Sequence, residues 1–314
     1  MKTAFLFPGQ GSQSIGMLAD LAAEYPQVAE VFNEASEVLG FGLWDLCQQG
    51  PQEQLNQTEF TQPAVLAADI AVWRVWQSLG GGTPDYMAGH SLGEYAALVA
   101  AGSISLAEGI KLVSLRGQLM QSATPAGKGA MAAILGIEDS AVEAACDEAS
   151  SSGIVSAANY NSPGQVVIAG DKAAVERACS LCSDAGARRA MLLAVSVPSH
   201  CALMQPAADK FAPALDALQI QPAASSILHN IDASVATGPE SIRQHLLEQL
   251  YQPVRWTQSI QIMLDLGVEA FAECGPGKVL SGLNKRIARR VKITPLQSPG
   301  LLQDTILEWS TNNE

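Results

Sequence analysis

The chain of 314 residues carries a formal net charge of −13, with 48% of its residues hydrophobic and 16% charged. That length suits one large or two modest domains, and so acidic a surface repels the phosphates of nucleic acid. No apolar run approaches the roughly 18–20 residues that span a bilayer, so no membrane-spanning helix is expected.

The first element is the apolar run 3–7, which is too short for a signal-peptide core and leads straight into Pro8-Gly9. It reads as a buried β-strand, and the protein is expected to work in the cytoplasm. Two later runs end the same way: 85–88 before Gly89, and 268–272 before Glu273-Cys274-Gly275-Pro276-Gly277. Short apolar runs alternating with alanine-rich helical stretches predict an α/β fold with a mostly parallel sheet. Ligand crevices in such sheets lie at the carboxyl ends of the strands, so these three turns are expected to meet at one site.

Between them the pattern changes. Strand 130–135, helix 139–151, strand 154–159, strand 165–169, helix 172–185 and strand 189–195 follow one another, which is the βαββαβ, ferredoxin-like order. This predicts a small domain over 127–196, inserted into a large domain made of 1–126 and 197–314. The insert would form one wall of a cleft. Six scattered cysteines include the pair Cys179 and Cys182, but no second pair or histidine stands at ligand spacing. They read as reduced, structural residues, and no metal or other cofactor is called for.

The strongest local signal is Gly89-His90-Ser91-Leu92-Gly93, between an apolar strand and the helical run that Gly102 closes. This is the strand–turn–helix setting of a nucleophile elbow, with Ser91 exposed on the turn. The Leu92 N–H, at the helix start, is placed to donate to an oxyanion. Gly9-Gln10-Gly11-Ser12 lacks the third glycine of a dinucleotide fingerprint. Its glycine-flanked turn instead suits the Gln10 N–H as a second oxyanion donor.

A serine hydroxyl needs a base, and four histidines are available. His90 is on the elbow and is expected to point into the core beneath it, while His245 reads as surface. His229 follows the short strand 226–228 and has the character of a structural histidine. His200 lies where the chain leaves the small domain beside the cleft, and is the favoured base. Protonation of an ordinary histidine would then place the acid limb of acylation at roughly pH 6–7.

Arg116 lies on a helix opened by the capping box Ser105-x-x-Glu108, with Leu112, Val113, Leu119 and Met120 around it. An inward guanidinium needs an anion, so two readings stand: an internal salt bridge, or a bidentate clamp for a substrate carboxylate.

The motifs Pro8-Gly9-Gln10-Gly11-Ser12-Gln13, Thr61-Gln62-Pro63, Gly89-His90-Ser91-Leu92-Gly93-Glu94-Tyr95, Arg116-Gly117, Asn161-Ser162-Pro163-Gly164-Gln165, Pro198-Ser199-His200 and the Gly275-Pro276-Gly277 turn stand in a telling order. In that order, over nearly the whole chain, the sequence resembles the malonyl-CoA:acyl carrier protein transacylases of bacterial fatty acid synthesis. The resemblance implies a hydrolase-like large domain and ping-pong malonyl transfer through Ser91. It further implies that His200 is the base, that Gln10 and Leu92 form the oxyanion hole, and that Arg116 holds the malonyl carboxylate. The backbone carbonyl of Gln249 would orient His200. Malonyl-CoA and acyl carrier protein would be the partners. Carrier proteins are acidic, so a basic cluster after the 275–277 turn, Lys285, Arg286, Arg289 and Arg290, is a possible docking patch. The alternatives are a serine hydrolase such as a thioesterase, or a malonyltransferase serving a polyketide or malonate decarboxylase system.

Overall fold

The computed structural model describes residues 1–125, 127–195 and 197–311. Its strands are β1 (Lys2–Phe7), β2 (Tyr86–Gly89), β3 (Gly129–Leu135), β4 (Val155–Ser162), β5 (Gln165–Asp171), β6 (Arg189–Leu192), β7 (Ser226–Leu228), β8 (Val268–Glu273) and β9 (Lys292–Pro295). They form two sheets. The larger has the order β7-β2-β1-β8-β9, and every neighbouring pair in it is parallel.

The continuous apolar run of β1 is explained by its place at the centre of that sheet, covered on both faces. Phe5 and Phe7 pack into one apolar cluster with Trp73 and Trp76 of the helix Thr58–Ser78. Ala4 and Leu6 face the other way, into a cluster with Trp256 and Phe271. β1, β2 and β8 run side by side, so their carboxyl ends open on one edge. The turns after them touch: a Cβ on Gly9 would overlap the His90 carbonyl, and one on Gly275 would overlap Pro8 and Asp69.

The smaller sheet is antiparallel, in the order β4-β5-β3-β6. The helices Asp139–Ala149 and Lys172–Asp184 cover one face, over Ala132, Ile134, Val166 and Ile168. The alternate residues Met131, Val167 and Ala169 gather on the other face with Cys201, next in sequence to His200. The fold class is thus α/β, a parallel sheet beside a separate antiparallel one.

Two local expectations are corrected. The strand expected over 189–195 stops at Leu192, because the ladder of the edge strand β6 with β3 ends there, after which only the Leu193 N–H still donates to the Met131 carbonyl. The helix expected over 139–151 ends at Ala149 and tightens into a 3-10 turn over Ser150–Ser152. Ala126, the last residue expected before the small domain, and Ser196, the last expected within it, lie outside the described residues, as does the stretch 312–314. Among the described residues no helix is long and apolar enough to cross a membrane, and no group of three or more His, Cys, Asp or Glu is arranged to hold a metal ion. The cysteines are free, and all but the half-buried Cys179 are buried.

Candidate active site

Ser91 stands on the turn between β2 and the helix Gly93–Ala100, with φ 53°, a left-handed conformation that non-glycine residues seldom adopt. The flanking glycines explain how so tight a turn fits. A Cβ on Gly89 would overlap the backbone of Gly93 and Glu94, and one on Gly93 would overlap that of Phe7. Strain of this kind persists only where the surroundings hold it. Asn230 supplies the hold: its Oδ1 accepts the Ser91 N–H at 2.7 Å, and its Nδ2 donates to the Gly89 carbonyl at 2.7 Å.

His200 shares the left-handed conformation, with φ 61°, and is only 3% exposed. Its N–H donates to the Leu250 carbonyl, which pins the loop. Nδ1 stands 2.6 Å from the Gln249 carbonyl, and Nε2 stands 2.7 Å from Ser91 Oγ. A carbonyl only accepts, so Nδ1 carries the proton and Nε2 offers its lone pair to the serine hydroxyl. Burial, and after it the Arg116 guanidinium, lower the His200 pKa to about 3, so the neutral form is held.

Arg116 is 1% exposed on the helix Leu106–Ala123, which the Ser105–Glu108 capping box opens. Nη1 donates to Gln62 Oε1 at 2.9 Å, while Nη2 donates to Gln249 Oε1 at 2.9 Å and reaches Ser91 Oγ at 3.3 Å. The Tyr95 ring lies 5.5 Å from the guanidinium carbon, and Nε has no hydrogen-bond partner among the described residues. Among the described residues no carboxylate forms an ion pair with Arg116. Its charge meets neutral amide oxygens beside the serine hydroxyl, an arrangement that leaves it available to an incoming anion.

A cavity of about 240 Å³ opens above Ser91, between the two sheets. Gln10, Ser91 and His200 line it, with Met131 and Val167 of the small sheet and Leu193 just after β6. Among the described residues, neither the Gln10 nor the Leu92 N–H is taken by a backbone hydrogen bond outside the regular elements, and Leu92 is the residue that opens the elbow helix.

Two histidines are placed otherwise than expected. His90 lies against the cavity, where Nε2 meets Asn161 Oδ1 at 2.7 Å, a contact from the elbow to the small sheet. Its ring also lies 5.4 Å from that of the buried Trp256. His245 is largely covered, its ring 4.7 Å from that of His229 and its Nε2 3.3 Å from Asp232 Oδ2. His229 is buried, with Nδ1 2.6 Å from Glu94 Oε1. Sequence reasoning gave no role to Gln62, Glu94, Asn161 or Asn230. The first three lie inside the quoted motifs, but only their contacts reveal what they hold.

Residues 4–303 match the acyl transferase domain family. The chain belongs to that family. It is 54% identical over 299 residues to the malonyl CoA-acyl carrier protein transacylase of Escherichia coli K12, covering 95% of this chain and 97% of the relative. The Bacillus subtilis transacylase of the same name is 45% identical over 314 residues, or 100% of this chain and 99% of the relative. Among solved structures, the acyl carrier protein S-malonyltransferase of Vibrio cholerae superposes with a TM-score of 0.95 at 55% identity, over 97% of this chain and 100% of that one. A malonyl-transacylase solved in complex with its type II polyketide acyl-carrier protein gives a TM-score of 0.97 at 52% identity, over 98% and 100%. This acyl transferase therefore shares its fold over nearly its full length with proteins named for malonyl transfer.

Proposed function

We infer that this acyl transferase moves the malonyl group of malonyl-CoA to the phosphopantetheine thiol of acyl carrier protein, through a malonyl ester on Ser91. One observation carries the reading: the Ser91 hydroxyl lies 2.7 Å from an imidazole nitrogen and 3.3 Å from a guanidinium that forms no ion pair among the described residues. A nucleophile, a base and a cation for a carboxylated acyl group thus meet at one oxygen.

In the first half-reaction Ser91 Oγ attacks the thioester carbonyl while its proton passes to His200 Nε2. The oxyanion is held by the N–H groups of Gln10 and Leu92. Collapse breaks the C–S bond, and the coenzyme A sulfur leaves with the proton from His200. In the second half the carrier thiol gives its proton to His200 and attacks the ester, and Ser91 recovers its proton. The Gln249 carbonyl keeps the imidazole turned for both steps, since it needs no charge of its own to fix the tautomer. Arg116 holds the malonyl carboxylate, a charge-assisted pair that acetyl groups cannot make. Both substrates belong to the cytoplasm, which is the proposed site of action.

The docking surface is proposed at the basic groove where the two sheets adjoin. Arg188, Arg286 and Arg289 line a cavity of about 430 Å³ with Glu138 and the Pro163-Gly164 turn. Lys285 and Arg290 are exposed nearby, and Arg286 also donates to Gln165 Oε1 at 2.8 Å. Lys292 is tied to Glu308 and is left out of the patch.

Intact mass measured after mixing the protein with malonyl-CoA alone tests the reading. A malonyl adduct that persists, and is discharged on adding carrier protein with its thiol arm, is the expected result. Release of free malonate without an adduct would make the protein a hydrolase instead.

A further inference from the structure

Gln249 meets the catalytic groups through its side chain as well as through its backbone. Its carbonyl accepts from His200 Nδ1, and its Oε1 accepts from Arg116 Nη2 at 2.9 Å. Its Nε2 donates to the Ser91 carbonyl at 2.9 Å and to Glu94 Oε2 at 2.8 Å. The base, the cation and the backbone of the nucleophile thus meet on one fully buried residue.

An amide has two ends, and only one orientation serves this arrangement. Turned over, it would aim N–H groups at the Arg116 guanidinium and an oxygen at the Ser91 carbonyl. Glu94 blocks that alternative. Its two oxygens accept from His229 Nδ1 at 2.6 Å, the Asn230 N–H at 3.0 Å and Gln249 Nε2. Three donors converge on a group that accepts on both oxygens, so the position facing Gln249 demands an N–H.

We propose that the Gln249 side chain is the positioning group for malonyl selectivity, and that Glu94 fixes its amide so that Arg116 is held beside Ser91. Glu94 touches no substrate in this scheme. It acts through Gln249, and His229 and Asn230 hold it in turn. The inference rests on the reading of Arg116 as the carboxylate's partner.

The test compares single-turnover acylation of Ser91 by malonyl-CoA and by acetyl-CoA in the full chain. In Gln249→Leu the backbone carbonyl on His200 remains and only the amide is lost. Whatever loss acetyl acylation shows, malonyl acylation is expected to fall about ten- to a hundredfold further, the range of one lost charged hydrogen bond. Glu94→Gln keeps the shape but sets a donor against donors, and the ratio is expected to shift the same way. If Glu94 acts only through Gln249, the double variant shows no greater loss of selectivity than Gln249→Leu alone. A purely structural role would lower both acyl groups equally and would lower the melting temperature in step. Equal loss, or an unchanged ratio in Gln249→Leu, overturns the proposal even if Glu94→Gln does not fold. Failure of the wild-type protein to prefer malonyl would instead overturn the parent reading of Arg116.

Discussion

The surroundings of His200 and His229 differ in a way that separates the proposed base from a brace. Both rings are buried, and both present Nδ1 to an oxygen at 2.6 Å. His229 faces the carboxylate of Glu94, the pairing that often marks a catalytic histidine in serine enzymes. Yet the rest of that carboxylate is occupied by Asn230 and Gln249, and the ring packs on His245. His200 faces only a neutral carbonyl, but its other nitrogen reaches Ser91 and its ring borders the open cavity. A carboxylate beside a histidine is therefore weaker evidence of catalysis than a free nitrogen aimed at a nucleophile. The positive charge of Arg116 gives a reason for the neutral partner. On the proposed reading, a cation meant for a malonyl carboxylate gains from having no carboxylate paired directly with it.

The sharpest way to break this comparison is to remove what only His200 touches. Ser91→Ala should abolish the acyl adduct, a loss on the order of 10⁴–10⁶ in rate, as read by radiolabel from malonyl-CoA. Label retained on the protein would move the nucleophile elsewhere. Arg116→Ala should come next. Malonyl acylation should drop by about ten- to a hundredfold or more, with acetyl acylation spared. Equal damage to both would make Arg116 structural.

A third prediction sharpens the electrostatic side. His200 must be neutral to take the serine proton, and its pKa is lowered by burial and by Arg116. The protonated, inactive form therefore gathers only as pH falls well below the ordinary histidine range. Acylation kcat/KM should stay level down to about pH 5, instead of failing at roughly pH 6–7 as the sequence alone suggested. Arg116→Ala removes one of the lowering influences, so its acid limb should move upward. A wild-type limb near pH 6.5, unmoved by that substitution, would contradict the burial and charge around His200. The smallest effect is expected at the basic groove. Arg286→Glu with Arg290→Glu should slow discharge to the carrier protein several-fold at low salt and leave acylation by malonyl-CoA intact. Discharge rates that ignore both charge and salt would take the groove out of docking.

The sequence disclosed the parts of this molecule that local chemistry dictates. β1 was legible because a strand covered on both faces must be apolar throughout, and the elbow because Gly89 and Gly93 leave room for nothing larger. The inward face of Arg116 followed from helical spacing, yet its two readings stayed open until its partners proved to be Gln62 and Gln249. Asn230 and Glu94 could not be read in advance. Each acts across a separation of more than a hundred residues, and nothing near them in sequence marks an amide that clamps the elbow or a carboxylate that takes three donors. The misplacement of His90 has the same origin. Its position on the elbow was plain, but the side to which its ring turns depends on Asn161 of the small sheet.

Which histidine activates Ser91 is decided by a paired quench-flow measurement. Single-turnover acylation by malonyl-CoA is followed in His200→Ala and His229→Ala, each checked for folding by its melting curve. The expected result is a loss of about 10³-fold or more in His200→Ala. His229→Ala should still acylate Ser91, with whatever loss it shows following its lowered stability and the malonyl-to-acetyl ratio. Rapid acylation in His200→Ala together with none in folded His229→Ala would contradict the account at its centre.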